Sequence, residues 1–150
     1  MVTEDFFSLI SYSLFTAASE INPSEIDRFM WRNGQILAEE ICSKIEFVEK
    51  TPIEVCNKIG AYLVQAGYLK RASFELLDDS RIRVEISSAI RQAVLRLSAQ
   101  GKQCPHYLTA ITFAALEEIT GKKVTLDSLD LATDSEGVTV EIWKLSDLVG

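Results

Sequence analysis

The chain has 150 residues, 47% of them hydrophobic and 25% charged, with a net charge of −7. That length fits one domain of ordinary size, spanning 1–150 and able to bury a core of its own. Dispersed Lys and Arg on an acidic chain exclude a nucleic-acid backbone as the expected partner. No stretch approaches the roughly 20 apolar residues of a membrane-spanning helix.

Helix signals fill the first 66 residues. Phe6, Phe7, Ile10, Leu14 and Ala18 recur at helical spacing. Asn22-Pro23-Ser24-Glu25 has the chemistry of a helix start: a capping residue, a proline suited to the first turn and a glutamate at the third position. Thr51-Pro52-Ile53-Glu54 repeats it, so helices are predicted from Asn22 and from Thr51, the latter ending at Gly67. The period then changes. Tyr68 to Leu77 reads as a strand, Asp78-Asp79-Ser80 as a turn, and Arg81 to Ile86 as a strand in which Ile82, Val84 and Ile86 alternate with charged residues. Ser87 to Gln100 is helical again, closed by Gly101, and a further helix runs from Pro105 to Thr120, closed by Gly121. A last hairpin is predicted from Lys123 to Leu131 and Val138 to Leu145, with its turn near Asp134-Ser135-Glu136-Gly137. In its second strand Val138, Val140 and Ile142 point one way, and Thr139, Glu141 and Trp143 the other. The order ααα-ββ-α(α)-ββ predicts an α+β fold with helices packed on one face of a four-stranded, largely antiparallel sheet.

Three cysteines, Cys42, Cys56 and Cys104, are too few and too scattered for a disulfide framework. They suit a reducing compartment. Met1-Val2-Thr3-Glu4-Asp5 lacks the basic head of a secretory signal, so a cytoplasmic protein is expected.

Several local patterns carry a family resemblance. Cys104-Pro105-His106-Tyr107 is followed by a helix rich in small residues, which leads into Glu117-Glu118-Ile119-Thr120-Gly121-Lys122-Lys123-Val124. Arg32-Asn33-Gly34-Gln35-Ile36-Leu37-Ala38 reads as a helix with small residues four apart, and Glu136 to Ile142 as a closing strand. In outline, over most of its length, the chain resembles the 4-vinyl-reductase domain family and the related small subunits of the TRAPP vesicle-tethering complex. Ala38, Ala110 and Ala114 stand where the family often carries glycine, and the last hairpin lacks the two further cysteines of many members. The resemblance implies a TRAPP-subunit-like helix–sheet scaffold with a hydrophobic pocket or channel. It implies a non-catalytic binding module for a hydrophobic small molecule: a hydrocarbon, a lipid acyl chain, an aromatic or a tetrapyrrole. It also implies two alternatives. One is a protein-assembly subunit with a protein partner; the other is an accessory protein or enzyme of tetrapyrrole or (bacterio)chlorophyll biosynthesis. Dimerisation through N-terminal helices is common in the group, and the aromatic cluster Phe6, Phe7, Tyr12 and Phe15 points the same way, to a homodimer.

Candidate ligand-binding residues, on that reading, are Met30, Leu37, Ile41, Ile59, Leu63, Phe74, Ala110, Phe113 and Ala114. Plain core is the default for Met30, Leu37, Ile41, Ile59, Leu63 and Phe74, and tight helix packing explains the small residues Ala110 and Ala114 beside Phe113 equally well. Cys104 and His106 form the one Cys/His cluster, a weak candidate for metal. The alternative is a cysteine packed as a small hydrophobe and a surface histidine. The acidic pairs Glu39-Glu40, Asp78-Asp79 and Glu117-Glu118 read as solvated faces. Cys42 lies a few residues before the acylated cysteine of some TRAPP subunits and reads as a buried free thiol. Neither a phosphate loop nor a catalytic constellation is recognised, so no enzyme, no metal and no cofactor are expected.

Overall fold

The computed structural model describes residues 3–102, 104–131 and 137–148. Thr3 caps α1 (Glu4–Ile21), its hydroxyl accepting from the Phe6 amide at 3.3 Å. The Asn22 start opens with a 3-10 turn, Pro23–Glu25, rather than a capped α-helix; Asn22 makes no side-chain cap bond, and α2 (Ile26–Cys42) follows. At Thr51 the predicted box forms in part. Thr51 Oγ1 accepts from the Glu54 amide at 3.3 Å and opens α3 (Pro52–Gln65). Glu54 does not return to Thr51. Its carboxylate accepts from the amides of Val48, Glu49 and Lys50 at 2.8, 2.8 and 2.6 Å and pairs with Lys58 at 3.0 Å. One side chain thus ties the incoming loop, where Lys50 has φ +53°, to the helix it precedes.

Those partners, the Val48 amide first, hold the Glu54 carboxyl down to about 2 from its usual 4.5. A depressed folded-state value means stability that is present above the unfolded value and lost as pH falls from 4.5 toward 2. Glu54→Gln is therefore expected to melt lower than wild type at pH 7, with the gap closing as both are titrated toward pH 2. Parallel melts across that range check it; a gap independent of pH contradicts it.

α3 ends where Gly67 takes φ +82°. Gly67 N donates to Val64 O and Tyr68 N to Leu63 O, each at 3.0 Å, a Schellman closure. β1 (Leu69–Asp78) and β2 (Arg81–Ser88) form the first hairpin, whose turn is pinned by Asp78 Oδ1 accepting from the Ser80 amide at 2.9 Å. β2 stays paired with β1 through Ser88, so the next helix, α4 (Arg91–Ala99), starts later than Ser87. α5 (Tyr107–Thr120), β3 (Lys122–Leu131) and β4 (Thr139–Asp147) complete the order. The expected turn at Asp134-Ser135-Glu136 lies outside the described residues. The sheet is antiparallel throughout, in the order β1-β2-β4-β3. The fold is α+β, as the periodicities imply.

α3 and α5 pack on the sheet, α2 on α5, and α1 on α4. The core joins Val55, Ile59 and Leu63 of α3, Leu108, Ile111 and Leu116 of α5, Ile82 and Val84 of β2, and Trp143 and Leu145 of β4. A smaller cluster, Phe15, Leu97 and Cys104, sits under α1. Ser8 Oγ accepts there from the buried Ala93 amide at 2.9 Å. Of the four aromatics near the N-terminus, Phe15 is buried and Phe7 and Tyr12 are half-buried. They serve this internal packing. The apolar side chains that α1 leaves exposed are Phe6, Leu9, Ile10, Leu14 and Ile21.

Candidate functional site: an aromatic cleft above a buried glutamate

β4 alternates as its sequence predicts, and the phase that turns inward is Glu141, Trp143 and Leu145. Trp143 decides this phase: its indole, 0% exposed, is the largest fully buried side chain. Glu141 is carried in with it and is 1% exposed. Its carboxylate accepts from Thr109 Oγ1 at 3.2–3.3 Å and from the indole Nε1 of Trp143. Among the described residues no Lys, Arg or His nitrogen forms an ion pair with it.

The register extends this inward face to the edge strand. Leu126 stands opposite Trp143 and Leu129 opposite Glu141, and opposed residues share a face. Yet Leu126 and Leu129 are 42% and 37% exposed. The helical layer leaves this corner of the sheet uncovered, and a cleft of about 540 Å³ opens there. Its walls are Met30, Trp31 and Gln35 of α2, Thr109, Phe113 and Ala114 of α5, and Val124, Thr125 and Leu126 of β3. Asp27, Glu117 and Lys123 stand around it, and His106 lines it just before α5 begins. The aromatic wall is ordered by ring contacts. Trp31 stacks on Phe113 with centroids 5.7 Å apart, and Phe113 meets Trp143 edge-on at 5.0 Å. Burial lowers the pKa of His106 from its usual 6.5, and the nearby Glu141 charge pulls the other way.

α2 can frame the cleft because it lies close to α5. A Cβ placed on Gly34 would stand 2.4 Å from Ala110 Cβ and 2.7 Å from its carbonyl carbon. Ala110, 1% exposed, is thus spent on helix packing. Met30, Phe113 and Ala114 line the cleft. Ile41, Ile59 and Leu63 are buried in the core, with Leu37 and Phe74 packed against it. Sequence reasoning missed Trp31, Thr109 as a carboxylate's partner, the β3 wall and Glu141. The signal for Glu141 was its phase: it shares one strand face with Trp143 and Leu145.

Cys104 and His106 are two residues apart but differently employed. The Cys104 thiol lies 3.5 Å from the Val94 carbonyl, in the cluster under α1, whereas His106 lines the cleft. Among the described residues no group of three or more His, Cys, Asp or Glu side chains is placed to hold a metal ion. Cys42 ends α2, half-buried against the core, and its burial raises the thiol's pKa. No described helix is long and apolar enough to cross a membrane. No family model matches the chain, and no curated protein matches it.

Proposed function

We propose that this protein is a binding module that holds a hydrophobic small molecule in the cleft between α2, α5 and β3. The observation that carries the reading is the cleft itself: about 540 Å³, walled by Met30, Trp31, Phe113, Val124 and Leu126, at a sheet corner that the helices leave open. That volume lies within the range of small-molecule sites, and an apolar wall with a few polar groups is their usual composition. The resemblance to the 4-vinyl-reductase domain family supports the same reading.

Native mass spectrometry with solvent extraction of the purified protein tests it, expecting a co-purifying apolar compound or added naphthylmethanol at one per chain. Ala114→Trp adds an indole to the cleft wall. It is expected to weaken that binding about tenfold or more, since a filled site leaves the ligand no apolar surface to bury. Unchanged binding by a folded Ala114→Trp overturns the assignment.

Self-association is a second element of the proposal, favoured by the exposed Phe6, Leu9, Ile10, Leu14 and Ile21 on α1. A contiguous apolar face of this kind is a common interface, and a two-fold pair of the same helix would bury it twice over. Light scattering is expected to give the mass of a dimer at micromolar concentration, and Leu9→Glu/Leu14→Glu that of a monomer. A wild-type monomer across that range contradicts this element and leaves the cleft untouched.

A further inference from the structure

The carboxylates at the cleft, Asp27 and Glu117, outnumber its one ammonium, Lys123, while Gln35 and His106 add neutral polar groups. Thr109 has a single hydroxyl hydrogen, and the geometry commits it to Glu141, because a carboxylate only accepts. What Thr109 Oγ1 can offer the cleft is its remaining lone pair. Asp27 and Glu117 add two more acceptor-only carboxylates at the cleft, against the one ammonium of Lys123. Behind Thr109, the Glu141 carboxylate is 1% exposed, hydrogen-bonded to two neutral donors and balanced by no ion pair among the described residues. In its ionised form a carboxylate at this depth is screened little, and its field then reaches the cleft with more force than an exposed charge would. The Trp31–Phe113 stack lines the same cleft, with Trp31 39% exposed, and aromatic faces attract cations.

We propose that the cleft selects organic cations: an ammonium or amidinium head on an apolar or aromatic body, with the head at Thr109 over Glu141 and the body against Trp31, Phe113 and Leu126. This inference rests on the cleft being a ligand site and deepens it by naming the ligand's charge. The head donates to Thr109 Oγ1 and sits in the field of Glu141, Asp27 and Glu117. The body takes the apolar wall and covers Leu126. An anionic ligand meets the same carboxylates with the wrong sign and has His106, Gln35 and Lys123 as its donors.

Isothermal titration calorimetry at pH 7 with three matched probes tests this: naphthylmethylammonium, naphthylmethanol and naphthoate. The ammonium is expected to bind about tenfold or more tighter than the alcohol, and naphthoate weakest of the three. Glu141→Gln keeps the size and an acceptor oxygen but removes the charge. It is expected to cut the preference for ammonium over alcohol to about twofold. Thr109→Val, which keeps the shape and removes the acceptor, serves as the second variant and is expected to lose the preference likewise. Equal binding of alcohol and ammonium, tighter binding of naphthoate, or full preference in folded variants overturns the charge assignment and leaves the cleft as a ligand site. Binding of none of the three overturns both.

Discussion

Trp143→Ala is expected to lower the folding stability by about 3–5 kcal/mol, a fall of roughly 6–20 °C in melting midpoint for a domain of this size. The indole is 0% exposed. Its ring meets Phe113 at 5.0 Å and Phe74 at 6.0 Å, so truncation opens a cavity bordered by helix and sheet alike. It also strips a donor from Glu141, leaving a buried carboxylate with Thr109 alone. Trp143→Phe separates the two effects. It keeps an aromatic ring in place but loses the N–H and part of the indole, so about 1–3 kcal/mol is expected from the lost bond, added to a smaller cavity term than alanine leaves. Chemical denaturation of the two variants checks both figures. A loss below about 1 kcal/mol for alanine would mean that the strand does not hang on this ring.

Gly34→Ala has the second-largest expected effect, and two forces of opposite sign compete in it. Alanine is the better helix former by about 1 kcal/mol. Against that, the new Cβ would stand 2.4 Å from Ala110 Cβ, 2.7 Å from its carbonyl carbon and 2.9 Å from its carbonyl oxygen. Backbone cannot rotate out of the way, so α2 must move off α5. Overpacking of this kind outweighs the propensity gain, and a net loss of about 1–3 kcal/mol is expected. Adding Ala110→Gly removes only the Cβ contact and rescues in part. Gly60→Ala is the control. Its Cβ would meet the Phe74 ring edge at 2.6 Å, and a ring can swing aside, so the loss is smaller. Since α2 carries Met30, Trp31 and Gln35 to the cleft, Gly34→Ala is expected to weaken probe binding as well. Equal stability of the Gly34 and Gly60 variants would contradict the close helix contact.

The fold was legible wherever a local rule decided it. Ile82, Val84 and Ile86 alternating with Arg81, Arg83 and Glu85 could only be a half-buried strand, and β2 is one. Gly67, Gly101 and Gly121 sit at helix ends with positive φ, which is what glycine at those places implies. The small residues Gly34 and Ala110 carried the close approach of two helices. Local rules failed where tertiary geometry decided. Asn22 has the chemistry of a cap, but the chain turns there by a 3-10 turn into α2. Leu126 and Leu129 share the inward face only through the register shift between Leu126 and Ser128, and none of the described helices covers them. Glu141 is the sharpest case. Val140 and Ile142 look like the core face of β4, but the tryptophan on the other phase outweighs them and brings a glutamate into the interior. The cleft is made by such non-local facts: an uncovered strand edge, a stacked pair from two helices and a buried acid behind a threonine.

The central claim, that the cleft is the binding site, is tested most directly by methyl-resolved NMR titration of the intact protein with naphthylmethanol. Saturable shifts are predicted at Met30, Ala114, Val124 and Leu126, with Ile59 and Leu63 in the core and Leu9 and Leu14 on α1 unmoved. Shifts confined to α1, or scattered over the surface without saturation, would contradict the account.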